Sequence, residues 1–126
     1  MKFLLTGTQA YGPLTSKSDW DIVMLREDSQ KLKELLYLLQ IEVHRSDHIH
    51  PSYEGFYFKF NQHEKVQIIV AGDEVEYLAW IQATNEMRKR HKIVDRRDRI
   101  STFQNFFYNA LSNIRKKEYE KSKKLF

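Results

Sequence analysis

Asp19 and Asp21 stand one residue apart in the stretch SDWDIVML, inside an otherwise apolar run. Alternate side chains of an extended segment share a face, so both carboxylates point the same way, together with Val23, while Trp20, Ile22 and Met24 point the other way. Two like charges on one strand face repel strongly unless a cation lies between them. A hard divalent ion, Mg²⁺ or Mn²⁺, suits such an all-oxygen pair. Just upstream, Gly7 and Gly12 bracket Thr8 to Tyr11. Glycine lets the backbone come close to a phosphate, the Thr8 hydroxyl can donate to a phosphate oxygen, and a short helical turn would aim its N–H groups at the anion. Phosphates and divalent metal ions both suit such a place. The plainer reading of the two acids is a solvent-exposed strand edge with Asp19 opening a turn.

The elements that must position these residues follow from periodicity. KFLLT reads as a first strand ended by Gly7, and DWDIVML as a second. Leu32, Leu35, Leu36 and Leu39 recur at helical spacing and predict a helix from about residue 28 to 40, and IEVHR then reads as a third strand. GFYFKF and KVQIIV, separated by the polar NQHE, predict a hairpin. Asp73 with Glu76 three residues on forms a capping box for a helix reaching about Arg90. From Asp95 onward Ile100, Phe103, Phe107, Ala110 or Leu111, and Ile114 form a stripe that predicts a last long helix packed on the core, fraying beyond Arg115. Phe106 and Tyr108 lie off that stripe, which suits either a dimer contact or a broader core. The expected architecture is α+β, a mixed sheet covered by helices, with residues 1–72 as the sheet core and 73–126 as two C-terminal helices with a basic tail, all in one domain.

Composition narrows the function classes. With no cysteine, neither a disulfide framework nor a thiolate metal site can form. No apolar run reaches membrane-spanning length and the opening MKFLL turns polar too soon for a secretory leader, so the expectation is a cytoplasmic protein with no membrane partner. Residues 1–86 carry 8 Lys or Arg against 13 Asp or Glu, whereas residues 87–126 carry 13 against 4. Such a split accompanies polyanion binding, and Arg88, Arg90, Lys92, Arg96 and Arg97, with Lys89, sit close enough in sequence to steer a nucleic acid or a nucleotide's phosphates. The alternative is a solvated helix end whose cations favour the helix dipole. His44, Asp47, His48 and His50 fall in HRSDHIH, but their spacing matches no standard zinc pattern and Pro51 follows, so a polar loop lining the acceptor side of the cleft is the expectation.

The composite of Gly7-Thr8, Tyr11-Gly12 and Ser18-Asp19-Trp20-Asp21 followed by Ile22 and Val23 resembles the signature of the DNA polymerase β-like nucleotidyltransferase superfamily. It is most similar to the small stand-alone nucleotidyltransferases of bacteria, archaea and phages, where the pattern reads Gly-Ser, a few residues, Gly, then Ser-Asp-x-Asp. Residues 4–25 carry the resemblance, and the order of elements extends it to about residue 70. It implies that Asp19 and Asp21 hold divalent metal bridging the triphosphate of a nucleotide, that Gly7 and Thr8 grip the phosphates near Tyr11 and Gly12, and that Ser18 supports them. Thr8 in place of the commoner serine keeps the hydroxyl. The family also draws a third carboxylate from a later strand, and here the matching position in KVQIIV holds Gln67. An amide oxygen can ligate Mg²⁺, yet it brings no charge and cannot act as a base near neutral pH. Glu42, Glu54 and Glu64 are the substitutes within reach in sequence, each outside the required strand register.

The resemblance therefore implies a metal-dependent nucleotidyltransferase that passes a nucleotidyl group from a nucleoside triphosphate to a nucleic-acid or protein acceptor. The alternatives are a catalytically silent descendant that binds nucleotide, nucleic acid or a partner protein, and an antitoxin-like interaction module, because small nucleotidyltransferases of this kind are often paired with a toxin.

Overall fold

The computed structural model describes residues 1–12, 19–46, 54–90 and 95–124. Among the described residues five strands form one mixed sheet: β1 (Leu4–Thr6), β2 (Trp20–Leu25), β3 (His44–Arg45), β4 (Gly55–Lys59) and β5 (Lys65–Ala71), in the order β1-β2-β5-β4-β3. β2 and β5 run parallel at the centre, and every other pairing is antiparallel. The helices are α1 (Thr8–Tyr11), α2 (Arg26–Leu38), α3 (Glu74–Lys89) and α4 (Arg96–Lys124). This is the expected α+β architecture with two C-terminal helices. Among the described residues, no helix is long and apolar enough to cross a membrane.

Strand alternation divides the apolar residues between two cores. On one face Met24, Phe56, Phe58, Val66, Ile68 and Val70 pack with Leu36 of α2. On the other, Val23 and Ala71 meet Ala79, Trp80, Ala83 and Met87 of α3 and Phe103, Phe107 and Ala110 of α4. Three small alanines on α3 let the backbones approach, and Trp80 fills the space with its ring centroid 5.0 Å from Phe103 and 5.2 Å from Phe107. One polar contact crosses this core: the Thr6 and Thr84 hydroxyls lie 2.8 Å apart, both fully buried. Thr84→Val should cost about 1–3 kcal/mol in a urea melt because Thr6 is left unsatisfied, and adding Thr6→Val should recover part of that loss.

Local chemistry explains the element ends. The Asp73 carboxylate accepts the Glu76 N–H at 2.8 Å, and the Glu76 carboxylate reaches back to the Gly72 N–H at 2.9 Å, one residue further than a standard capping box. In the β4–β5 turn the Asn61 side chain accepts from both His63 and Glu64 N–H groups at 2.8 Å, and Phe60 N–H closes on the Glu64 carbonyl at 2.9 Å. At the end of α2, Ile41 N–H donates to the Leu36 carbonyl and Gln40 N–H to the Tyr37 carbonyl, a Schellman motif with Gln40 at φ 58° where glycine is usual. Gln40→Gly should therefore raise stability by about 0.5–1 kcal/mol, read as a higher urea midpoint at unchanged slope.

Three details differ from the sequence-based expectation. The third strand keeps only His44 and Arg45 of IEVHR. Ile100 is exposed rather than in the stripe, because the aromatic pair Phe103 and Phe107 already fills the groove against Trp80. Beyond Arg115 the helix continues to Lys124 instead of fraying, with an exposed surface over 115–123. Phe106 packs against the core, which broadens it, whereas Tyr108 is exposed.

Candidate functional site

Asp21 lies on β2, an interior strand, so the edge-strand reading of the two acids does not hold. Its neighbours in register are Thr6 on β1 and Gln67 on β5, Gln67 is opposite Tyr57 on β4, and Tyr57 is opposite His44 on β3. Directly paired residues share a face. One row of polar side chains thus runs across all five strands: Thr6, Asp21, Gln67, Tyr57, His44. The next row begins with Asp19, just before β2, and Lys65, whose neighbour Val66 pairs with Trp20. These rows occupy the same sheet face as Val23 and Ile69, beyond the apolar part covered by α3 and α4.

Electrostatics marks Asp21 out. Burial, then the negative charge of Asp19, push its carboxyl up to about 6, and Lys65 draws it partly back down. A half-buried acid with a second acid beside it is short of positive charge. The turn at Gly7 is built around this carboxylate. A Cβ on Gly7 would collide with Asp21 Oδ2 and lie 3.2 Å from its Cβ and Cγ, and Gly7 has φ 69° and ψ −161°, a conformation open in practice to glycine alone. Gly12, also at positive φ, ends α1 and donates its N–H to the Thr8 carbonyl at 2.8 Å. Tyr11, the last residue of α1, is pushed up to about 12 by burial and by Asp21, against the opposing pull of Arg99. Gly7, Tyr11, Asp19, Asp21 and Gln67 thus come together around one carboxylate, with Thr8 and Gly12 in the short helix beside them. Ser18 lies outside the described residues.

The substitutes for a third acid are placed elsewhere. Glu54 pairs with Arg26 at 3.0 Å, Glu64 sits in the exposed β4–β5 turn, and Glu42 is exposed, 3.9 Å from His44. Among the described residues, no three His, Asp or Glu side chains converge on a metal position. Of the basic stretch, Arg88, Arg96 and Arg97 are exposed and Arg90 lies 5.0 Å from the Phe106 ring centroid. Lys92 falls outside the described residues, as do Asp47, His48 and His50. Arg99, in the same region, acts by its charge on Tyr11. It was not singled out because its sequence neighbours gave it no distinction. Lys65, Tyr57 and His44 join the site through strand register, a signal present in the alternation of β4 and β5 once their pairing with β2 is known.

The donor set suits one hard cation: two carboxylates on one face, one of them short of counter-charge, with an amide oxygen in register between the second strand and its neighbour. Among the described residues it offers no third carboxylate for a second.

The chain matches no protein-family model. No curated protein is similar to it in sequence. Among solved structures it is similar to that of the conserved protein GrpB from Enterococcus faecalis, with a TM-score of 0.52 over 90% of this chain and 82% of that one at 15% identity. At that identity the likeness concerns the fold alone, an α+β mixed sheet with its helices.

Proposed function

We propose that the protein transfers a nucleotidyl group from a nucleoside triphosphate to an acceptor hydroxyl on a nucleic acid or a protein, with Mg²⁺ or Mn²⁺, forming a bond from the acceptor oxygen to the α-phosphorus as pyrophosphate leaves. The observation that carries this reading is the carboxylate of Asp21, set on a central strand, hemmed in by a glycine that no other residue could replace without displacing it, and raised to about 6 by burial and by Asp19. Such an acid is poor structural material and good ligand material. When bound, the divalent ion neutralises charge on the transferring phosphate and holds the triphosphate at the carboxylates.

The chain's own groups do the remainder. Asp19 and Asp21 hold and orient the ion, with Gln67 offering its amide oxygen beside them. The Gly7-Thr8 turn brings backbone and hydroxyl donors to the phosphates, and Arg88, Arg90, Lys92, Arg96 and Arg97 raise the local concentration of polyanions. Gln67 cannot take a proton from the acceptor, so an acceptor that ionises readily, or a slow reaction, is the consequence.

Labelled nucleoside triphosphates, incubated with the protein, Mn²⁺ or Mg²⁺ and cell extract, should leave label on a macromolecule, and Asp19→Asn should remove it. A second reading, favoured by the amide at position 67, is a pocket that binds nucleotide without transferring it. Saturable nucleotide binding with no label transfer from any of the four nucleotides would select that reading.

A further inference from the structure

We propose that Lys65 supplies the positive charge a second divalent ion would otherwise bring, so that the site loads one Mg²⁺ or Mn²⁺ and binds the outer phosphates of the nucleotide through the lysine ammonium. This rests on the transfer reading above and specifies how that site handles charge.

Lys65 opens β5 two residues before Gln67, and so shares its face of the sheet. Because Val66 pairs with Trp20, Lys65 falls in the row beside Asp19. Its Nζ lies 4.1 Å from the centroid of the Tyr57 ring, and Tyr57 is the residue directly opposite Gln67. His44 stacks on the same ring, with centroids 5.0 Å apart and planes 22° from parallel. The backbone of Lys65 thus lies one strand from Asp21, and its ammonium rests on an aromatic ring carried by the next strand, β4. A ring face holds a cation through its quadrupole and uses none of the three N–H donors in hydrogen bonding to oxygen, so those donors remain suited to phosphate oxygens.

Charge balance supports the same arrangement. A two-ion site needs bridging carboxylates, and three acids holding two divalent ions present one net positive charge to the triphosphate. Two acids, one ammonium and one divalent ion present the same charge. The neutral Gln67 and the cationic Lys65 are thus two halves of one substitution: the acid that would hold a second ion is absent where the chain carries its own cation. An ammonium beside a vacant second-ion position would also repel any ion entering it.

The test counts Mn²⁺ bound per chain by electron paramagnetic resonance, in the presence of a nucleoside triphosphate analogue that cannot be cleaved at the α-phosphate. One ion per wild-type chain is expected, and two for Lys65→Gln combined with Gln67→Asp. Lys65→Met, which keeps the aliphatic packing on Tyr57, should weaken analogue binding about ten-fold while leaving one ion bound, and Lys65→Arg should restore affinity to within about three-fold. Two ions on the wild-type chain, or unchanged analogue affinity in Lys65→Met, overturns the proposal and leaves the transfer reading standing. No Mn²⁺ on the wild-type chain overturns the metal-dependent transfer reading itself, and this proposal with it.

Discussion

Asp21→Asn is expected to abolish label transfer, lowering it by on the order of 10³-fold, while making the metal-free protein more stable at neutral pH. The two effects have one cause. Burial and Asp19 raise the Asp21 carboxyl from its ordinary 3.8 to about 6, so the folded state holds this proton more tightly than the unfolded state does. Between those values the native chain binds more protons, and stability falls as pH rises. The favourable contribution is complete below about pH 4 and gone above about pH 6, a difference of about 3 kcal/mol. Asparagine carries no charge to desolvate, so the variant lacks this slope. Urea melts of both proteins at pH 4.5, 6 and 7.5, without divalent ions, isolate the residue, because all other titrating groups are common to the pair. A stability difference that does not change with pH would contradict this account of the carboxylate. Mn²⁺ added at pH 7.5 should stabilise the wild-type protein and leave the variant nearly unaffected, since a ligand that binds only the native state stabilises it by mass action.

Gly7→Ala should cost about 2–4 kcal/mol and remove transfer activity. Two penalties combine. At φ 69° and ψ −161° a side chain is strained by about 1–3 kcal/mol wherever it points. The new methyl group also lands on the Asp21 carboxylate, so either the turn or the acid must move. A double-mutant cycle separates the terms: in an Asp21→Ala background the collision is relieved and the backbone strain persists, so Gly7→Ala should cost about 1–2 kcal/mol less there. Equal costs in the two backgrounds would show that the carboxylate does not press on this turn.

Much of this site was legible from local pattern. The alternation in DWDIVML placed both acids on one face and the glycines at 7 and 12 marked the ends of α1, while Gln67 came from the family resemblance, as the residue in the position of a third carboxylate. The structure sets it directly beside Asp21. The Asp73 cap and the β4–β5 turn were also readable, because each uses polar side chains within a few residues of one another. What local pattern did not carry was register between distant segments. Lys65 and Tyr57 belong to the site only because β5 lies parallel to β2 and β4 returns antiparallel beside it, and His44, expected on the acceptor side of the cleft, stands there on β3 rather than in a loop. The charge of Arg99 acts on Tyr11 only because the fold brings these distant parts of the chain near each other. The stop of α2 was placed at about residue 40 by the leucine spacing, and the helix ends at Leu38 with Gln40 in the left-handed position where glycine is usual. The persistence of α4 to Lys124 shows that a helix with nothing to bury on its last turns still propagates from a well-anchored start.

The order of strands bears on how the molecule behaves at high concentration. The longest strands, β2 and β5, with 6 and 7 residues, lie inside the sheet, and among the described residues its margins are β1 and β3, with 3 and 2, so that β1 covers only Asp21, Ile22 and Val23 of β2. A margin this short leaves only a few main-chain groups open to a passing chain, too few to seed lateral stacking into fibrils. Prolonged incubation of the folded protein should accordingly leave thioflavin fluorescence flat.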